Sequence, residues 1–144
     1  MQDRIIAEAR TWLGTPFQHQ GRVKGQGVDC LGLLVGVARH LRLKDGKGTP
    51  LEHHDALAYG HYPDAKALQR ALSQLLHDRR VMPPEQGNIV LLRIDSHARH
   101  MAIVGVAEHY KTLIHAYAPA RKVVEHRLDE RWEKQIVRCY RLTQ

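Results

Sequence analysis

The sequence predicts an α+β fold in which N-terminal helices pack on a C-terminal antiparallel β-sheet. Apolar residues recur at helical spacing in the first half of the chain, and short β-branched runs fill the second half. Helices first and strands later favour an antiparallel sheet over the alternating units of a parallel one. The chain has 144 residues, 43% hydrophobic and 26% charged, which suits one packed domain spanning 1–144.

The first helix is expected over residues 4–13, with Ile5, Ile6, Ala9, Trp12 and Leu13 on one face and Asp3 as its cap. Gly14 and Pro16 end it. Residues 18–28 are rich in Gly and basic side chains without periodicity, and read as a loop. A second helix begins near Cys30, capped by Asp29, with Leu31, Leu34, Val35, Ala38 and Leu41 as its stripe. Residues 44–50 read as a surface loop, and the His-rich stretch 51–62 has no clear pattern. A third helix is expected over 64–76, ended by Pro83 and Pro84. Strands are expected over 88–94, 100–107, 112–117, 122–127 and 135–142.

Lys and Arg number 22 against 15 Asp and Glu, a net charge of +7 that suits an anionic partner. Nucleic acid is not the expected one, because the basic residues are scattered, aromatics are only 6% and no nucleic-acid motif is visible. The longest apolar run, 31–38, is too short to span a membrane. The N-terminus has no basic start followed by an apolar stretch, so the expectation is synthesis in the cytoplasm without a signal peptide.

Two cysteines make neither a disulfide scaffold nor a Cys-x-x-Cys zinc pair. Cys139 sits in a strand-like run and reads as packing. Cys30, within Gly27-Val28-Asp29-Cys30-Leu31-Gly32, falls in the first turn of the second helix. Free N–H groups and the positive helix end favour a thiolate there and can also hold an oxyanion. A thiolate nucleophile needs a base. His100 opens a predicted strand and His115 lies inside the next. His115 is expected to accept the Nδ1–H of His100 and fix its tautomer. If the hairpin turn centres on the polar stretch 108–111, the two histidines are offset by about four residues, or ~13 Å. The pairing therefore requires an earlier turn or a bulge.

The segments Leu13-Gly14-Thr15-Pro16-Phe17, Gly27-Val28-Asp29-Cys30-Leu31-Gly32-Leu33, Gly87-Asn88-Ile89-Val90, His100-Met101-Ala102-Ile103-Val104 and Ile114-His115-Ala116, in this order, resemble the NlpC-type papain-like cysteine peptidases. Gln18-His19-Gln20-Gly21-Arg22 and Val123-Val124-Glu125-His126-Arg127-Leu128 resemble the short phage cell wall peptidases of that family. The resemblance covers nearly the whole chain. It implies a papain-like fold and a metal-free, cofactor-free peptidase cleaving peptidoglycan stem peptides, typically between D-γ-glutamate and diaminopimelate. By position, Cys30 is then the nucleophile, His100 the base and His115 its orienter. It also implies association with a phage tail and its proteins, and action on the wall in the periplasm. Two positions depart from the family pattern. Phe17 stands where a tyrosine is frequent, and Asn88 stands where an aspartate is frequent.

Three rival readings carry their own signatures. A metal hydrolase would use His53-His54-Asp55 or His97-x-x-His100, neither of which has a helical zinc spacing. A catalytically silent phage tail or assembly protein would share the fold without using the thiol. A nucleic-acid binder would show salt-dependent affinity for DNA or RNA.

Overall fold

The structure, a computed structural model, describes residues 1–44, 47–54, 83–94 and 97–142. Helix α1, Gln2–Arg10, buries Ile5, Ile6 and Ala9. It starts earlier than expected. Met1 is the N-cap without a side-chain bond, and Asp3 lies inside the first turn, where its charge favours the positive helix end. The helix also ends at Arg10, so Trp12 and Leu13 lie in the following turn. Trp12 is still buried, whereas Leu13 is 42% exposed and leaves the expected core face.

Segment 14–18 is clasped on both sides by backbone bonds. Gly14 and Phe17 donate to the carbonyls of Val123 and Arg121, and Val123 donates to Thr15. On the other side Gln18 donates to Val28, and Val28 donates to Pro16. The stretch expected to be plain loop contains a short antiparallel ribbon, β1 (Arg22–Val23) with β2 (Gly27–Val28). Phe17 packs against the helix-side core.

Helix α2, Cys30–His40, follows at once, and the Asp29 carboxylate caps it by accepting the Gly32 N–H at 2.8 Å. Beyond the expected stripe, Leu33 and Val37 are also buried. The helix is enclosed by α1, the β1–β2 ribbon, a 3-10 turn at Leu51–His54 and the main sheet. A helix apolar nearly all round is a buried one. Gly36 lets the turn after α1 come close, since a Cβ there would overlap the Trp12 ring.

The sheet holds five antiparallel strands in the order β6-β5-β4-β3-β7. These are β3 (Ile89–Ile94), β4 (His97–Ala107), β5 (Tyr110–Tyr117), β6 (Lys122–Arg127) and β7 (Ile136–Tyr140). Each expected strand is present within three residues at either end. One face meets the helices through Leu91, Met101, Ile103, Ile114 and Ala116. The other face carries Val90, Leu92, Ala102, Val104, Leu113 and Cys139, covered by Leu128 and Trp132. Trp132 lies on a one-turn helix α3, Glu130–Glu133, which the sequence reading did not anticipate. Asp129 caps it at the Trp132 N–H.

At the turn into β3, Asn88 Oδ1 accepts the Glu85 N–H at 2.7 Å and faces the buried Cys139 thiol at 3.3 Å. The buried amide oxygen thereby joins the turn to β7. The expected helix 64–76 and the stretch 55–62 lie outside the described residues. Among the described residues no helix is long and apolar enough to cross a membrane.

Replacing Gly36 by Ala should destabilise the protein by about 1–3 kcal/mol, the usual range for overpacking. A urea midpoint equal to the parent's would show that Trp12 yields freely.

Candidate active site

The local sequence brings Cys30 to its place through Asp29. One carboxylate oxygen accepts the Gly32 N–H and the Arg22 guanidinium at 2.9 Å, and the other accepts the Gln20 N–H at 2.8 Å. Both partners of the Arg22–Asp29 bridge are largely buried, with side chains 14% and 6% exposed. Cap, ribbon and loop are thereby joined at the residue preceding the thiol. Gly32 permits this approach, because a Cβ there would overlap the Gly21 carbonyl.

Cys30 is half-buried, and the backbone N–H groups of Met101 and Leu31 lie where they favour its thiolate. Burial pushes the thiol up to about 12, with the Asp29 charge adding to the rise. The two N–H groups and Arg22 act in the opposite direction without overcoming it. Burial thus opposes the thiolate that the helix end favours. The helix end supplies its N–H groups, but desolvation outweighs them. Burial makes the thiol hold its proton more tightly, so attack by the sulfur needs a base.

His100 immediately precedes Met101 in β4, whose N–H acts on the thiol. His100 and His115 are both buried, and His100 Nε2 lies 2.5 Å from His115 Nδ1. Two features close the offset expected from the sequence. The hairpin turns early, with Ala107 opposite Tyr110, and the register Ile103↔Ile114 leaves His100 and His115 as diagonal neighbours. Diagonal neighbours on one face are within reach of aromatic side chains. A register shift against Leu92/Arg93 also falls at His100, where a bulge re-aims side chains. The pairing atom differs from the expected one. His100 uses Nε2 toward His115, which leaves Nδ1 as its other nitrogen.

A third ring, which sequence reasoning left unassigned, extends the pair. His126 Nε2 lies 2.8 Å from His115 Nε2, and His126 Nδ1 lies 3.0 Å from the Arg127 carbonyl. The signal lay in strand register: His126 pairs with Leu113, two residues before His115 on the same face. Tyr117 stacks on His115 at 4.9 Å, and Trp132 meets the same ring edge-on at 5.4 Å.

Burial lowers His100 to about 4, aided by the charge of His126. Burial lowers His115 further, to about 2, aided by His100 and His126. Cys139 is raised to about 11, chiefly by burial, and is fully enclosed. Its thiol therefore stays in the packing role expected for it. Among the described residues no group of three or more His, Cys, Asp or Glu is arranged to hold a metal ion. Asp55 and the side chains of His54 and His97 lie outside the described residues.

Two measurements follow from these shifts. Between pH 6.5 and about 4 the unfolded chain takes up protons that folded His100 refuses, so stability falls as pH falls across that window. The urea midpoint should be level above pH 7 and drop steadily below 6.5, less so in His100→Asn. A level midpoint down to pH 4.5 contradicts the burial argument. Asp29→Asn keeps a cap but removes a negative charge, so the pH midpoint for alkylation of Cys30 should move down. An unmoved midpoint would show that Asp29 does not raise the thiol.

Compared by sequence, the chain matches no family model and no curated protein. Solved structures do match. The NlpC/p60 domain of the peptidoglycan hydrolase SagA is 19% identical with a TM-score of 0.58, covering 100% of this chain and 99% of that one. An NlpC/P60 family protein from Bacillus cereus is 16% identical with a TM-score of 0.67 over 100% of this chain, which spans only 41% of that protein. An N-acetylmuramoyl-L-alanine amidase from Bacteroides uniformis is 14% identical with a TM-score of 0.62, covering 99% of each chain. With α1 and α2 packed on the five-stranded antiparallel sheet and Cys30 at the start of α2, the chain has an NlpC/P60-type, papain-like fold.

Proposed function

We propose that this chain is a cysteine peptidase that hydrolyses peptide bonds in bacterial peptidoglycan stem peptides, with the D-γ-glutamyl-diaminopimelate bond as its substrate. The observation that carries this reading is the thiol at the start of α2, near the Met101 N–H that follows His100 in β4. His100 in turn is engaged by His115. Similar folds occur in proteins named peptidoglycan hydrolase and N-acetylmuramoyl-L-alanine amidase, which supports a cell wall substrate.

The chemistry uses the chain's own residues. Nδ1 of His100 takes the Cys30 proton as the sulfur attacks the scissile carbonyl. The N–H of Cys30 faces the developing oxyanion from the positive end of α2. His100 returns the proton to the leaving amine, and water then hydrolyses the thioester. His115 holds the His100 ring by its second nitrogen. Because burial raises the thiol, its proton leaves only as His100 takes it. The net charge of +7 supplies adsorption to an anionic wall that weakens as salt rises. Association with a phage tail and action in the periplasm are part of this proposal and rest on the resemblance of 18–22 and 123–128.

Mass spectrometry of defined muropeptides tests the reading. The protein should release products cut within the stem peptide, while the muramoyl–L-alanine amide stays intact. Cys30→Ala should abolish cleavage and His100→Ala should reduce it by about 100-fold or more. His115→Ala should cost less, since an orienting group is partly replaceable. Parent-rate digestion by Cys30→Ala would refute the thiol mechanism. A folded parent that cleaves nothing would favour the silent tail protein.

A further inference from the structure

His100, His115 and His126 form a continuous line across β4, β5 and β6. The outer ring is anchored, because His126 Nδ1 lies at the Arg127 carbonyl. A carbonyl oxygen only accepts, so Nδ1 of His126 carries a hydrogen. A neutral imidazole has a single N–H. Nε2 of His126 is therefore an acceptor, and His115 donates to it from Nε2. That leaves Nδ1 of His115 to accept the hydrogen on Nε2 of His100. One backbone carbonyl thus assigns the hydrogens of three rings and leaves Nδ1 of His100 free to act as base.

We propose that His126 is a positioning residue for the hydrolytic reaction, holding His100 in its Nε2–H tautomer through His115 and receiving the positive charge when His100 takes the thiol proton. This inference rests on the peptidase reading above. When the proton arrives on Nδ1 of His100, the Nε2 hydrogen of His100 passes to Nδ1 of His115. The Nε2 hydrogen of His115 passes to Nε2 of His126. The line gains one proton in all, and only N–H bonds form and break. His126 then holds two hydrogens, while His100 is neutral and keeps Nδ1–H for the leaving amine. Delivery of that hydrogen reverses both shifts.

The surroundings favour His126 as the seat of the charge. His115 is 0% exposed and His100 is 7% exposed, whereas His126 is half-buried and nearer water. The Trp132 ring lies 4.8 Å from the His126 ring, within the range of cation–π attraction. From β5, His115 faces His126, with His100 of β4 behind it, and α3 presents Trp132. On the same strand, Glu125 bonds Arg10 and Thr112, and the Arg127 guanidinium lies over Tyr110.

Imidazole nitrogen NMR on the ¹⁵N-labelled full chain reads the tautomers without any variant. At neutral pH, hydrogens are expected on Nδ1 of His126 and on Nε2 of His115 and His100. On acidification His126 should gain its second hydrogen first. An Nε2–H tautomer at His126, or earlier protonation of His100 or His115, overturns the proposal. Kinetics gives a second arm. His126→Gln keeps a polar group that cannot carry the charge, so kcat should fall at least about tenfold with KM within about twofold. The acid limb of its kcat/KM profile should also move. A parental kcat and pH profile in His126→Gln overturns the proposal. A parent inactive on muropeptides refutes the peptidase reading instead, while the NMR arm still decides the hydrogen assignment.

Discussion

The carboxylate of Asp29 is the fixed point on which this architecture turns. It ends the extended backbone of the ribbon, caps α2 at Gly32, and binds Arg22 and the Gln20 amide. The charge also has a chemical consequence. Lying beside Cys30, it adds to the burial that raises the thiol. The same two oxygens thus order the helix start and add to the rise of the thiol. Removing one partner from a largely buried bridge commonly costs about 3–5 kcal/mol.

The second constraint is burial on both faces of the sheet. Strands β3 to β5 are covered by the helices on one side and by Leu128 and Trp132 on the other. Polar groups placed in such a layer need partners. His115, fully enclosed, finds one imidazole on each nitrogen, and the line ends on a backbone carbonyl. The aromatic walls of Tyr117 and Trp132 keep these rings in a low-dielectric setting. The same enclosure lowers the proton affinity of His100 and His115.

Much of this was legible in the residues. Helical periodicity in 4–13 and 30–41, and β-branched runs after residue 88, describe local preferences that survived folding. The Asp29 cap was readable because a cap acts over three residues. Other features were not, because their causes are distant in sequence. Leu13 has the spacing of a core residue, yet α1 stops before it. The ribbon at 22–28 arises because segment 14–18 is held between β2 and β6. The one-turn helix carrying Trp132 is too short to show a period.

The sequence by itself determined the α+β class, the single thiol at a helix start and the strands bearing His100 and His115. These follow from periodicity, capping chemistry and resemblance, all of which act along the chain. Only the tertiary structure decided that burial raises the Cys30 thiol, since desolvation depends on what packs around the helix end. It also decided how the histidines meet. An early turn, a bulge and the cross-strand register bring His126 into line with them and choose which nitrogen of His100 is engaged. Those outcomes depend on which residues of neighbouring strands lie opposite one another, and pairing across strands is not written in local spacing.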